Sequence, residues 1–294
     1  MPSSSPPTAA PTVTSNEVVL SNGHTVHFVT HGPPNASQTF FLIHGSAGSH
    51  RSFAQLAPLL VQDDFNVVAV DVPGHGSTSG DAAGGDLDLT DARVARAMTE
   101  TLEKVADRTG CRRFFVLGHS VGGTTAMQVA ATANPSGLVR GVALVNSTAF
   151  RPTVFEHPRA LMHFIVWMLT TSWVTRALVV PFARFVLCTG AGFSSKLRDH
   201  EVAFSFQRAG THDYATVRKT AQRIHASGLP VFMARALDDR VVNKEIGDEL
   251  CEVLKPETKL EYARGGHSIH KTHADDVAAA LLKWAQGIET RKAV

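Results

Sequence analysis

Cysteine is scarce in this chain: Cys111, Cys188 and Cys251 are its only three, spread over 294 residues. Odd in number and far apart, they form no Cys-x-x-Cys pair and no disulfide framework. A reducing compartment, and so a cytoplasmic location, is expected. An excess of one charge is missing too. The 28 lysines and arginines nearly balance 26 acids, the formal net charge is +2, and no basic cluster stands out, so nucleic acid is not an expected partner. Long hydrophobic runs are absent as well. Leu161 to Thr175 is uncharged apart from His163, but Arg176 and Pro181 interrupt it, short of the ~20 residues a transmembrane helix needs. Met1 to Ser15 lacks the basic start and apolar stretch of a secretory signal and has no arginine. Rich in Pro, Ser and Thr, residues 1–16 read as a disordered tail.

What is present is a large apolar fraction, 44%, enough for one sizeable α/β domain with an insertion. Glu17–Leu20 and Thr25–Val29 flank an Asn-Gly turn and predict a hairpin. Short apolar runs at Thr39–Ile43, Asn66–Asp71, Phe114–Leu117, Gly141–Asn146, Val231–Ala234 and Lys259–Ala263 predict strands. Helical spacing falls between them. Phe53–Leu60 reads as a helix, and Thr90 is a good N-cap for a helix reaching Gly110. A last helix is expected from Thr272 through Trp284, with Thr272 and Asp275 as a capping box. This alternation implies a mostly parallel central sheet flanked by helices on both faces. From about Phe150 to Gly210 the rhythm stops and the chain becomes helical and strongly apolar. Strands on both sides make 150–210 an insertion, most simply a helical cap on a core of 17–149 and 211–294.

The stretch from Arg113 to Ala126 carries the strongest signal. A buried-strand pattern runs into Gly118-His119-Ser120-Val121-Gly122 and then into a helix, the strand–turn–helix setting of a nucleophile elbow. So sharp a turn leaves no room for side chains at Gly118 and Gly122. Ser120 is therefore expected at the strand's carboxyl end, above the free amides of a helix N-terminus.

Five segments in order, His44-Gly45, Asp71-x-Pro-Gly-His-Gly-x-Ser, Gly118-x-Ser120-x-Gly122, Asp238-Asp239-Arg240 and Gly266-His267, resemble the α/β-hydrolase superfamily of the capped, serine-nucleophile type. The resemblance covers roughly Glu17 to Gly287. It implies the α/β-hydrolase fold and a Ser-His-Asp triad: Ser120 as nucleophile, His267 as base and Asp239 as acid. Ala236 stands where the family places a glycine before the acid, so Asp238 is the alternative. Among fifteen histidines, His270 and His273 are expected to be solvated or capping. The amides of Ser46 and Val121 are expected to form the oxyanion hole, and Asp71 and His75 to scaffold their loop. His44, Gly45 and His119 are expected beside the substrate, with Phe164, Trp167, Met168 and Trp173 as apolar pocket walls.

The resemblance implies a serine hydrolase cleaving an ester-like bond of a hydrophobic small molecule, with no metal or cofactor. The same triad also serves C–C bond hydrolases and hydroxynitrile-lyase-like enzymes, and a capped pocket could act as a ligand receptor with little turnover. Dehalogenases and epoxide hydrolases of this fold carry Asp at the elbow. Epoxide hydrolases also use cap tyrosines, whereas only Tyr214 and Tyr262 exist here. Shallow membrane association through the apolar block is a further expectation.

Overall fold

The computed structural model describes residues 12–190, 193 and 196–293. Its eight strands are β1 (Val13–Val19), β2 (Thr25–His31), β3 (Gln38–Ile43), β4 (Phe65–Val70), β5 (Phe114–His119), β6 (Val139–Val145), β7 (Val231–Ala236) and β8 (Thr258–Tyr262). They form one sheet in the order β1-β2-β4-β3-β5-β6-β7-β8. The β1–β2 and β2–β4 pairs are antiparallel and all others are parallel, which is the α/β-hydrolase arrangement. Around the sheet lie α1 (Leu56–Leu59), α2 (Asp91–Thr109), α3 (Val121–Ala133), α7 (Tyr214–Ala226), α8 (Lys244–Leu254), α9 (Ile269–Thr272) and α10 (Ala274–Ala293). Three helices stand between β6 and α7: α4 (Arg159–Thr171), α5 (Trp173–Gly190) and α6 (Asp199–Gly210).

Strand alternation decides which helix each side chain meets. Phe114 and Val116 of β5, with Phe41 and Ile43 of β3, pack with residues of α2, α3, α7 and α8. Phe115, Leu117, Phe40 and Leu42 pack on the other face with α1 and α10, where Trp284 meets Phe115 edge-on at 5.5 Å. Both faces are covered, so the central strands read as unbroken apolar runs.

Several boundaries differ from the sequence expectation. Val13–Asn16, within the expected disordered tail, pair with Phe28–His31 in β1–β2. Ser15 Oγ and His27 Nε2 lie 2.8 Å apart, and Asn16 Nδ2 donates to Thr30 Oγ1, so cross-strand partners order polar residues that carry no apolar signal. Residues 1–11 of that expected tail lie outside the described residues. The Phe53–Leu60 helix becomes a 3₁₀ turn at His50–Phe53 and the single turn of α1. Thr90 caps α2 through Arg93 N, and Gly110 closes it with φ 73°. The Thr272–Asp275 capping box does not form. Thr272 Oγ1 instead donates to Gly265 O at 3.0 Å, and α10 starts at Ala274.

The three inserted helices have a core of their own, in which Ile165, Leu169, Ala183 and Val202 are buried together. Two buried arginines tie it to the sheet domain. Arg176 donates to Asp86 O and Gln207 Oε1. Arg208, fully buried, reaches Asp91 Oδ1 at 3.4 Å and Thr125 Oγ1 at 2.8 Å. These bonds use Nε and Nη2 of Arg208, while its buried Nη1 has no hydrogen-bond partner among the described residues.

At the end of β5, glycines stand directly against backbone. A Cβ on Gly118 would stand 2.2 Å from Gly122 O, and one on Gly122 would stand 2.3 Å from Ile43 O. Gly118→Ala and Gly122→Ala are each expected to cost roughly 3 kcal/mol or more, because backbone rather than a movable side chain blocks the added methyl. Gly137→Ala, at φ 71° but facing open space, should cost only about 1–2 kcal/mol. Urea unfolding midpoints of the three variants would check this order.

Candidate active site

Ser120 links β5 to α3 and adopts φ 56°, ψ −129°, a conformation that costs a non-glycine residue energy. Its neighbours hold it there. Ser120 N donates to Val145 O at 3.1 Å, and its carbonyl accepts from Gly123 N and Thr148 N. Gly45 completes the fit, since a Cβ there would lie 2.8 Å from Ser120 Cβ. Val121 is the first residue of α3, where helix geometry leaves amides without intrahelical acceptors. Ser46, Ser120 and Val121 share the wall of one cavity.

His267 comes from a 3₁₀ turn after β8, and Asp239 from the turn after β7. His267 Nδ1 lies 2.8 Å from Asp239 Oδ2. The carboxylate can only accept, so Nδ1 carries the proton and the Nε2 lone pair is free in the neutral ring. Asp239 is buried and its carboxylate receives four donors. Val241 N and Val242 N reach Oδ1, while Asn146 Nδ2 joins His267 on Oδ2. Burial pulls its pKa upward, but the His267 hydrogen bond and charge, with Asn146 and the Val241 amide, outweigh that and hold it below the usual carboxylate range.

Asn146, which pattern reading did not assign, and Asp238, the alternative acid, support this pair. Asn146 follows β6 in a left-handed conformation, φ 44°. Its amide bridges Asp239 and Gly266 O, at 3.0 Å from the latter. Asp238 points the other way from its neighbour, and its Oδ1 accepts from Gly265 N at 3.0 Å and Gly266 N at 2.8 Å. It therefore fastens the loop that presents His267, while Asp239 holds the imidazole. A hydrophilic dipeptide in sequence carries no sign of that division.

Three histidines near the site, His44, His119 and His270, are buried and held neutral. His44 donates from Nδ1 to Gly45 O at 2.7 Å and accepts Val72 N–H on Nε2. Burial pulls its pKa down to about 4. His119 Nε2 meets His267 O at 2.8 Å, and its ring lies 4.8 Å from that of His267 and 4.1 Å from that of His270. Burial, with His270 and His267 adding to it, takes its pKa well below 6.5. His270 is buried rather than solvated, and burial, Lys271 and His267 push it to about 3. His273 packs flat on Tyr262 at 4.1 Å, with Nε2 2.8 Å from Arg264 O. Neither His44, Gly45 nor His119 lines the cavity; they back its wall.

Asp71 scaffolds its loop. Its carboxylate accepts from the backbone N–H groups of His50 and Ser77 and meets Nδ1 of His27 and of His50. Potential ligand atoms of His27, His50 and Asp71 lie within 4.8 Å of one another. All four acceptor sites of the carboxylate already face donors, so the cluster reads as a strut. His75, also buried, is within 3.4 Å of Ser205 Oγ.

The cavity measures about 250 Å³ and lies between Ser120 and the inserted helices. Phe155, Met162, Val186, Leu187, Phe193 and Phe206 give it an apolar wall. Thr153, Glu156, His212 and Tyr214 form a polar corner, where Tyr214 OH donates to Glu156. Expected wall residues Phe164, Trp167, Met168 and Trp173 are not among those lining it. Phe164, Trp167 and Trp173 are exposed on the outside of the helices, and Met168 packs against the core of the insertion. An all-apolar helix gives no sequence clue to which face turns inward.

The division of labour in Asp238-Asp239 is measurable without turnover. Asp238→Ala should speed hydrogen exchange at the Gly265 and Gly266 amides by about tenfold, the worth of a lost hydrogen bond. Amides of Val241 and Val242, held by Asp239, should exchange as before. Equal acceleration at both pairs would contradict the assignment.

Residues 40–280 match the model of the alpha/beta hydrolase family. The magnesium-chelatase 30 kDa subunit of Rhodobacter capsulatus is 26% identical over 265 residues, spanning 86% of this chain and 89% of that one. A pimeloyl-[acyl-carrier protein] methyl ester esterase of Stenotrophomonas maltophilia is 27% identical over 261 residues, 84% and 92% of the two chains. The solved structure of a putative lipase from Acinetobacter baumannii superposes with a TM-score of 0.69 at 19% identity, covering 95% of this chain and 93% of that one. With a family match that takes in the elbow, the Asp239 turn and the His267 loop, on a sheet of the corresponding topology, the chain belongs to the alpha/beta hydrolase family.

Proposed function

We propose that this protein is a serine hydrolase that cleaves an ester-like bond of a hydrophobic small molecule. The observation that carries the reading is the hydrogen bond between His267 Nδ1 and Asp239 at the same sheet edge as Ser120, itself in the wall of a mainly apolar cavity. Kinship with a methyl ester esterase is compatible with it. Ser120 Oγ attacks the carbonyl carbon while His267 Nε2 takes the hydroxyl proton. Asp239 stabilises the resulting imidazolium and keeps the ring in the productive tautomer. The tetrahedral oxyanion is met by the backbone amides of Val121 and Ser46, fixed dipoles that need no reorganisation. Collapse breaks the ester C–O bond, and His267 returns its proton to the leaving alcohol. Water, deprotonated by His267, then attacks the acyl-enzyme; the second tetrahedral species collapses to the acid and regenerates Ser120.

Ser120→Ala should abolish labelling by a fluorophosphonate and nearly all ester turnover. Asp239→Asn should lower kcat by up to ~10⁴ through the wrong imidazole tautomer. Undiminished turnover in Ser120→Ala would refute the elbow as the reacting centre.

The apolar wall sets the substrate preference. Each buried methylene contributes ≈ 0.8 kcal/mol, so kcat/KM for straight-chain acyl esters should rise roughly fourfold per added carbon until the cavity is full. Leu187→Trp, which fills the cavity, should move the optimum to shorter chains. Trp167→Ser, on the outer surface, should leave the optimum where it is. A flat response from acetate to octanoate would overturn the apolar pocket.

A further inference from the structure

In the polar corner of the cavity, every side-chain polar atom but one is already engaged. Glu156 Oε1 accepts from Thr153 N at 2.9 Å and from Thr153 Oγ1 at 3.1 Å, and Oε2 accepts from Tyr214 OH. Arg159 lies over the Tyr214 ring and 3.8 Å from the same Oε2. His212, just after α6, lines the cavity and is only 9% exposed. Its Nδ1 lies 2.9 Å from Asp91 Oδ2, and Tyr214 stands edge-on to its ring at 4.8 Å. Those two contacts fix the plane of the imidazole. Nε2 points away from Asp91; it is buried and has no hydrogen-bond partner among the described residues. Buried polar atoms are normally paired, so an orphan in a cavity wall calls for a ligand atom.

The neighbours decide what kind of atom. Burial favours a neutral Asp91, yet His212 and Arg208 keep its carboxyl below the usual range. An ionised carboxylate can only accept, so Nδ1 of His212 carries a proton. Burial resists a second proton on the ring, but Asp91, with Glu156 adding and Arg208 opposing, raises the pKa of His212. The protonated ring offers Nε2–H as a donor, which an acceptor oxygen answers. Glu156 occupies the same corner and repels a second carboxylate, so the matching oxygen is uncharged. Among the described residues, the corner makes no hydrogen bond to Ser120, Asp239 or His267. A substrate whose ester carbonyl is at Ser120 therefore meets His212 with a different part of itself.

We propose that His212 is a specificity-determining residue whose Nε2–H donates to a second, uncharged carbonyl oxygen carried by the substrate apart from the bond that Ser120 attacks. The substrate class is then a hydrophobic ester with an oxo group along its chain, rather than a plain alkyl ester. The identity of the bond that reacts rests on the hydrolytic reading; recognition at His212 does not.

The test uses ethyl esters of straight-chain acids and their isosteres in which one methylene is replaced by a carbonyl, walked along the chain beyond the third carbon. The quantity read is the ratio of kcat/KM for the oxo ester to that for its parent. In wild type it should reach about tenfold or more at one position. Elsewhere it should stay at or below one, because a carbonyl buried without a donor is penalised. His212→Asn puts an amide where Nδ1 stood, keeps a donor for Asp91 and removes Nε2, so the ratio should fall to about one. His212→Gln, whose amide reaches the place of Nε2, should retain part of the preference. Lost packing alone would slow both esters and leave the ratio as it was. The same pairs, titrated by calorimetry into Ser120→Ala with and without the His212 substitutions, give a ratio of dissociation constants that needs no turnover. A ratio near one at every position in wild type, or a preference that survives in His212→Asn, would overturn the proposal. Hydrolysis without an oxo preference would remove this inference alone. A His212-dependent oxo preference in the calorimetric titrations, with no ester hydrolysed by wild type, would remove the hydrolytic reading and leave this one standing.

Discussion

The close approach of β5 to the start of α3 is the constraint on which the rest of the site depends. Gly118 and Gly122 face each other without space for a methyl group, Gly122 also touches the backbone leaving β3, and Gly45 touches Ser120. A side chain at any of these places would push the helix from the sheet or the β3 loop from the serine. Gly123 repeats the constraint on the β6 side, where a Cβ would meet Ser147 Oγ at 2.0 Å. The strained backbone of Ser120 is held by these contacts and by hydrogen bonds from three directions, so its energy cost is met by the packing around it. Because β3, β5, β6, β7 and β8 are parallel, their carboxyl ends share one edge. The Gly45–Ser46 loop, the elbow, Asn146, Asp239 and the His267 loop are gathered there, as ligand sites are in open parallel sheets.

Electrostatics at that edge is organised by subtraction. His44, His119 and His270 are close to the centre, and burial keeps all three neutral at ordinary pH. Positive charge on them would oppose a proton on His267 at close range in a low-dielectric setting. Asp239 is the carboxylate in contact with His267, and its remaining lone pairs are occupied by backbone amides and Asn146. Both oxygens of the buried Asp239 carboxylate are thus satisfied, the condition under which a buried charge is tolerable. Asp238 contributes through the backbone, by gripping the amides of Gly265 and Gly266.

The inserted helices contribute to the site through one wall only. Arg176 and Arg208 pin them to Asp86 and Asp91, so the cavity roof has a defined position over Ser120. His212, at the end of α6, shares Asp91 with Arg208 and forms part of the cavity's polar corner. Burial works against its protonated form, but the charge and hydrogen bond of Asp91 prevail and raise its pKa. The cavity thus lies between the inserted helices, which supply Met162, Val186, Leu187 and Phe206, and the sheet domain, which supplies Ser120 and Val121.

By itself the sequence determined the strand–turn–helix at Ser120, since only glycine-flanked geometry of that kind explains the spacing in Gly118–Gly122. It also determined the alternation that makes a parallel sheet, because doubly buried strands need apolar residues at every position. The family resemblance, carried by motifs at strand ends, implied Ser120, His267 and Asp239, and in the structure His267 Nδ1 lies 2.8 Å from Asp239 Oδ2. Tertiary structure alone decided the rest. Asn146 lies 93 residues from Asp239 along the chain, and no periodicity links them. Val13–Asn16 are strand residues only because β2 supplies their partners, and Asp238 differs from Asp239 only in which loop each faces. Helices α4 and α5 are apolar around most of their circumference, so composition could not say which residues turn toward Ser120. That choice was made by packing against α6, which buries Ile165, Leu169 and Ala183 and leaves Trp167 and Trp173 outside.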